Sequence, residues 1–158
     1  MNKGLIALGA VVVVIIFILG GAISLYNGLK EAEISVDASY GQVENQMQRR
    51  SDLIPNLVNT VKGYDVHEKA VIEEVVNARA KLAGAQGVEQ MDAANAELTG
   101  ALGRLFAIAE AYPDLKANTQ YLELMRELAG SENRIAVARR DYNEAVREYN
   151  VRISTFPG

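Results

Sequence analysis

The sequence predicts an all-α protein in which one N-terminal transmembrane helix is followed by an up-and-down antiparallel four-helix bundle. Two patterns predict this fold. The first is an uncharged apolar run from Gly4 to Asn27, and the second is the recurrence of apolar residues at alternating spacings of four and three from position 36 onward. Strands are not supported after the apolar run. We therefore divide the chain into an anchor, residues 1–27, and a bundle, residues 28–158.

The anchor is predicted because about 20 apolar residues cross the hydrocarbon core of a bilayer as a helix, and the run from Gly4 to Asn27 meets that length. Tyr26 stands where an interfacial aromatic residue is expected. A cleaved signal peptide is the second interpretation, although the run is long for one and no clear Ala-x-Ala site follows. The third is a pilin-like helix, but pilins usually carry a glutamate near its start and the first acidic residue here is Glu31.

The charges around the anchor favour one orientation. Lys3 precedes the anchor, whereas the nearest cation after it, Lys30, is accompanied by Glu31 and Glu33. The positive-inside rule counts lysine and arginine, so it slightly favours an N-terminus inside the cell. The bundle is then expected on the non-cytoplasmic side of a bacterial inner membrane.

The apolar stripes divide the rest of the chain into helices near residues 28–50, 53–83, 88–111 and 115–153. The first is expected to continue from the anchor. A turn is predicted at residues 50–52, because Ser51 and Asp52 can cap a helix and Pro55 is tolerated in a first turn. The stripe nevertheless runs unbroken across Pro55, so one long kinked helix is the alternative.

Local chemistry also predicts the remaining helix ends. Residues 84–87, with a glycine at each end, terminate the second helix. Tyr112 and Pro113 terminate the third, and Asp114 is expected to cap the fourth. Residues 156–158 are predicted to be non-helical. Because short connections make neighbouring helices antiparallel, the fourth helix should bring the C-terminus back toward the bilayer.

Polar residues interrupt the stripes at Glu68, Asn95 and Glu132. At about 1.5 Å per residue, each lies roughly 24 Å from the membrane-distal end of the bundle, so we expect one polar layer. Arg79 and Arg139 lie closer to the membrane and can reach the two carboxylates. We interpret the layer as a structural set of ion pairs that fixes helix register, with a carboxylate metal site or an acid–base pair as the alternative.

Composition argues against several functions. The chain has no cysteine and one histidine, His67, so thiolate sites, disulfides and multi-histidine metal sites are excluded. No Glu-x-x-His motif of the ferritin-like bundles occurs, and we interpret His67 as a surface or layer residue. A net charge of −4 makes the chain unsuited to nucleic acid or to polybasic membrane binding. We predict no catalytic residue, no cofactor and no metal.

Several motifs resemble those of one protein family. They are Gln48-Arg-Arg-Ser-Asp-Leu-Ile-Pro-Asn-Leu-Val58, Thr60-Val-Lys-Gly-Tyr64, Tyr112-Pro-Asp-Leu-Lys-Ala-Asn118 and Glu132-Asn-Arg-Ile-Ala136. Together they resemble the LemA family, and the match covers essentially the whole chain in order. The resemblance implies a bacterial inner-membrane protein with one N-terminal helix and a four-helix bundle. The family includes a magnetosome membrane protein, and its biochemical function is poorly defined.

This sequence departs from the family pattern in two places. Ser39 and Tyr40 stand where alanine and tryptophan are common. Family members usually continue past the Phe-Pro motif with a short tail rich in glycine and aromatic residues, and this sequence ends at Gly158.

Function is predicted in order of preference. The first hypothesis is a non-enzymatic, membrane-anchored scaffold that forms a homo-oligomer. Gly9, Gly20 and Gly21 permit close contact between helices in lipid. An adaptor for another membrane protein, such as a protease or secretion component, is the second, and a pilin-like filament subunit is the third. An enzyme with a metal between Glu68 and Glu132 is least favoured, because the ligand motif is missing.

Overall fold

A computed structural model describes residues 3–64 and 67–155, which form five α-helices and no strand. The helices are α1 (Lys3–Lys62), α2 (Lys69–Gly84), α3 (Gly87–Ala109), α4 (Pro113–Lys116) and α5 (Thr119–Ser154). The all-α fold class is therefore confirmed. The prediction for residues 156–158 lies outside the described residues.

The described chain separates into two compact units. One contains the residues up to Ser39 together with those from Asp141 onward, and the other contains Tyr40–Arg140. Helices α1 and α5 each contribute to both units, whereas α2, α3 and α4 belong to the second. The core of the second unit is therefore built from α2, α3 and α4 with parts of α1 and α5.

The predicted long apolar N-terminal helix is confirmed as the first part of α1. Its large apolar side chains are exposed from Leu8 to Tyr26, with Phe17 at 77%. Among the described helices, α1 alone is long and apolar enough to cross a membrane. A Cβ atom added at Gly9, Gly20 or Gly21 would meet nothing within 4 Å. Their role in contacts between anchors stays a prediction.

The turn predicted at residues 50–52 is wrong, because α1 continues through them and through Pro55. Arg50 and Ser51 are both buried within the helix, so Ser51 does not cap a new one. The alternative of a single helix across Pro55 is the observed structure. Pro55 has no amide hydrogen for the carbonyl of Ser51, and Nε of Arg79 on α2 donates to that oxygen at 3.2 Å. The lost helical hydrogen bond is thus replaced by one from another helix.

The helix predicted at residues 53–83 is two helices, because α1 ends at Lys62 and α2 begins at Lys69. The Gly63 amide donates to the carbonyls of both Asn59 and Thr60 at 3.2 Å, the tightened geometry common at helix C-termini. Four residues of α2 are buried: Ile72, Val75, Ala78 and Leu82.

The turn between α2 and α3 lies where glycines predicted it. Gly87 has a φ of 76°, which glycine adopts at little cost. Its amide donates to the hydroxyl of Tyr40 at 3.3 Å, which attaches the turn to α1.

The start of the last long helix differs from the prediction. Asp114 does not cap it but lies in the first turn of α4, a single turn that begins at Pro113. The cap of α5 is Asn118, whose Oδ1 accepts a hydrogen bond from the amide of Tyr121 at 2.8 Å. The chain around Pro113 makes one extra turn before α5 because a separate cap is available at Asn118.

Candidate functional site

The polar cluster of the second unit is centred on Arg50, whose side chain is only 4% exposed. The guanidinium donates to Oδ1 of Asn95 at 2.9 Å and to Oγ1 of Thr99 at 3.0 Å, both on α3. It also forms an ion pair with Glu132 on α5. Burial lowers the pKa of Arg50 to about 10, so the group stays cationic at neutral pH and Glu132 supplies the counter-charge.

The α3 partners follow from helix geometry. Asn95 is buried, and Thr99 lies one turn later on the same helix. The Thr99 hydroxyl donates to the carbonyl of Asn95 at 2.9 Å, which leaves its oxygen free to accept from Arg50. Two side chains one turn apart therefore present two acceptors to one guanidinium.

Glu132 reaches the cluster from the flank of α5 rather than from its buried stripe. The buried residues of α5 in this unit are Tyr121, Leu124, Leu128, Ser131, Ile135 and Ala138. Ser131 occupies the buried position, whereas the Glu132 side chain is 46% exposed. The predicted stripe placed residue 132 in the core, whereas the structure buries residue 131 instead. A carboxylate on the flank keeps part of its hydration, which reduces the cost of pairing it with a buried cation.

Two residues predicted for the layer lie elsewhere. Glu68 is at the start of α2, because the break after Lys62 moves it from the middle of a helix to the end of one. Arg139 pairs with Asp92 of α3 at 2.7 Å, and it lies on the exposed side of α5 next to buried Ala138. Arg79 does reach the cluster, but through the Ser51 carbonyl rather than a carboxylate.

A second polar cluster lies at the end of α1 and at the starts of α2, α4 and α5. Nδ2 of Asn118 donates to the hydroxyl of Tyr64 at 2.7 Å. The hydroxyl of Tyr112 donates to Glu68 at 2.9 Å. These bonds connect the end of α1 with the start of α5, and the start of α2 with the residue before α4. Neither pair was predicted from sequence, although Tyr64, Tyr112 and Asn118 lie in the motifs that carried the family resemblance.

A surface groove of about 680 Å³ lies along the end of α1 and the first part of α2. Lys62, His67 and Lys69 line it together with the apolar side chain of Ile72. Among the described residues, no group of three His, Cys, Asp or Glu side chains is placed to hold a metal ion. The arrangement of both clusters is suited to holding helices in register.

A family model described as LemA family matches residues 39–158. The chain is similar to the magnetosome protein MamQ of Magnetospirillum gryphiswaldense, at 27% identity, and to MamQ 1 of Paramagnetospirillum magneticum, at 26%. It is also similar to the protein LemA of Metamycoplasma hominis, at 25%.

The matched lengths differ between the chain and its relatives. The match to either MamQ protein covers 84% of this chain, and the match to the Metamycoplasma protein covers 82%. The chain spans only 58% of the length of those MamQ proteins and 60% of that LemA protein.

Proposed function

The chain belongs to the LemA family, and on this premise we propose that it is a non-enzymatic scaffold anchored in a bacterial membrane by residues 4–27. The observation that carries the proposal is the continuity of α1, which runs from Lys3 to Lys62 without a break. The exposed apolar segment and the buried Arg50 therefore lie on one helix.

We propose that Tyr40–Arg140 closes as an up-and-down four-helix bundle. The Arg50 cluster joins α1 to α3 and α5, and the Arg79–Ser51 hydrogen bond joins α1 to α2. Lys81 of α2 pairs with Glu97 of α3 at 2.6 Å. Polar contacts of this kind favour one register among those that an apolar core alone would tolerate. The proposed function of both clusters is therefore to hold the scaffold in one packing arrangement.

The proposed partner of the anchor is a second copy of the chain. Gly9 and Gly20 are 11 residues apart, close to three whole turns of an α-helix, so they lie on the same face. Small residues on one face let two helix backbones approach closely in lipid, where packing and not hydrophobic burial drives association. Self-association through this face would assemble bundles side by side on the non-cytoplasmic surface.

An adaptor for another membrane protein is the second candidate. The groove beside Lys62 and Lys69 favours it, since Val76, a large apolar side chain, is exposed there. Crosslinking in native membranes separates the two proposals. A scaffold yields mainly products of two or more copies of this chain, whereas an adaptor yields a stoichiometric product with a different protein.

Anchoring and orientation are tested with single cysteines, because the chain has none of its own. Ser35→Cys lies on the exposed surface of α1 beyond the apolar segment, and Ile15→Cys lies within that segment. In intact cells stripped of any outer membrane, a membrane-impermeant maleimide should label Ser35→Cys and leave Ile15→Cys unlabelled. Release of the protein by alkaline carbonate would contradict the anchor. Labelling of Ser35→Cys only after cell lysis would contradict the orientation.

A further inference from the structure

The C-terminal part of α5 is attached to α1 at the point where the apolar segment ends. Nη1 of Arg152 donates to the carbonyl oxygen of Gly28 at 2.6 Å. A Cβ atom at Gly28 would lie 3.3 Å from that nitrogen, so a side chain there would require the end of Arg152 to shift by a few tenths of an ångström. Gly28 directly follows the uncharged run that ends at Asn27. Arg152 therefore marks which residues of α5 lie level with the end of the apolar segment.

The level of Arg152 can be compared with the layers of a bilayer. Gly28 lies three residues beyond Leu25, which is about 5 Å along a helix. The headgroup region adds roughly 5 to 7 Å on each side of a hydrocarbon core about 30 Å thick. If the apolar segment spans the core, the residues beside Arg152 lie at the depth of the headgroups.

Large apolar side chains are exposed at that level. Val151 and Ile153, on either side of Arg152, are 51% and 53% exposed. Successive residues of a helix point about 100° apart, so these two side chains project on opposite flanks of Arg152. Single exposed apolar residues are common on water-soluble surfaces. Two of them at this depth are placed where burial among lipid headgroups and upper acyl chains removes apolar surface from water.

We propose that the last turns of α5 contact the interfacial layer of the bilayer that holds α1, with Val151 and Ile153 inserted into it. The inference rests on the proposed anchoring of residues 4–27. The ligand is a zwitterionic phospholipid surface, because the nearby cations are already paired. Arg152 pairs with Glu148 at 2.7 Å and Arg147 pairs with Glu144 at 3.6 Å. Apolar burial and not attraction to anionic lipid therefore supports the contact.

Tryptophan fluorescence tests the contact in the full chain, which contains no native tryptophan. Three exposed side chains are replaced one at a time: Ile153→Trp as the probe, Phe17→Trp inside the apolar segment, and Ile34→Trp as the matched aqueous control. Ile34 is the same residue type as Ile153 and is 58% exposed. It lies six residues beyond Gly28 on α1. Each variant is reconstituted into two sets of phosphatidylcholine vesicles, a shallow set with acyl chains brominated close to the glycerol backbone and a deep set with acyl chains brominated near their ends. Circular dichroism checks the helix content of each variant.

The contact predicts that brominated lipid quenches Ile153→Trp and leaves Ile34→Trp bright. Equal emission from these two variants in the shallow set, with Phe17→Trp quenched in the deep set, would overturn the contact and leave the anchor in place. An unquenched Phe17→Trp in deeply brominated lipid would overturn the anchor and the contact together. Quenching of Ile153→Trp that requires phosphatidylglycerol in the vesicles would also count against the proposal, because it would show that headgroup charge holds α5.

Discussion

Nε of Arg79 donates a hydrogen bond to the carbonyl oxygen of Ser51 at 3.2 Å, and this carbonyl is the one whose helical donor is missing. In an uninterrupted helix its partner would be the amide of residue 55, which here is proline. The proline in the middle of α1 thus creates a free acceptor, and an arginine from α2 occupies it. A residue that usually weakens a helix becomes a point of attachment between two helices.

Arg79→Met should destabilise the protein by about 1 to 3 kcal/mol, because the carbonyl of the buried residue Ser51 then loses its remaining donor while most of the apolar side chain is kept. Urea unfolding followed by circular dichroism measures the loss. Pro55→Ala restores the amide at residue 55 and provides the control background. If Arg79→Met costs as much in Pro55→Ala as in the natural sequence, the replacement role of Arg79 is wrong.

Glu132→Gln should cost about 1 to 3 kcal/mol, because it leaves the buried cation of Arg50 without its counter-charge. Glu127→Gln is the matched control on the same helix. Its side chain is 44% exposed, close to the 46% of Glu132, but its partners Arg49 and Arg134 are themselves exposed. Exposed pairs contribute about 0 to 1 kcal/mol, so equal losses for the two variants in chemical unfolding would contradict the role of burial at Arg50.

The coupling between Arg50 and Glu132 should not change between about pH 6 and about pH 8. Burial lowers the pKa of Arg50 from its ordinary value to about 10, so the group is charged throughout this interval in both folded and unfolded chains. Above about pH 10 the folded chain begins to lose the Arg50 proton, whereas the unfolded chain keeps it. Because the unfolded chain then binds more protons than the folded one, the free energy of unfolding would begin to rise with pH. A double-mutant cycle with Arg50→Met and Glu132→Gln at the two pH values measures the coupling.

Asn118→Ala should destabilise the protein by about 1 to 2 kcal/mol, because it removes the cap of α5 and the hydrogen bond to Tyr64 together. Tyr64→Phe removes the second bond alone and should cost less, about 0.5 to 1.5 kcal/mol. Amide hydrogen exchange should show that Asn118→Ala loses protection first at Tyr121. A larger loss for Tyr64→Phe than for Asn118→Ala would contradict the capping role.

Gly20→Leu should reduce the number of copies in each particle when the protein is extracted with its native lipid, because the larger side chain separates the proposed helix contact. Ala22→Leu is the control, since residue 22 lies about 200° around the helix from residue 20. Stepwise photobleaching of a fused fluorophore counts the copies. An unchanged count in Gly20→Leu would rule out this face as the contact.

The apolar stripe of α1 was predictable from sequence at the positions that matter for the core. Val43, Ile54 and Val61 are buried where the stripe places them. Arg50 also interrupts this stripe, and it falls within the turn predicted at residues 50–52. A buried arginine in a helix and a polar residue at a helix end give the same local pattern, and only the acceptors Asn95 and Glu132 on other helices distinguish them.

The sequence did not predict which face of α5 is buried after Leu128. A step of four residues from Leu128 reaches Glu132 and a step of three reaches Ser131, and both series then continue to Ile135. Packing selected the phase that buries Ser131 and leaves Glu132 on the flank. A small hydroxyl loses little on burial when it bonds within its own helix, as Ser131 does to the Leu128 carbonyl at 2.6 Å. A carboxylate at the same position would have lost its hydration.

The sequence by itself determined the helical class, the apolar segment and the glycine turn before α3, because helix periodicity, chain apolarity and a positive φ are properties of neighbouring residues. Tertiary structure decided which side chains meet. The partners of Arg50 are 45, 49 and 82 positions away along the chain. Contacts at such separations depend on how the helices pack, and that packing compensates two local costs of α1, a buried charge and a missing amide at Pro55.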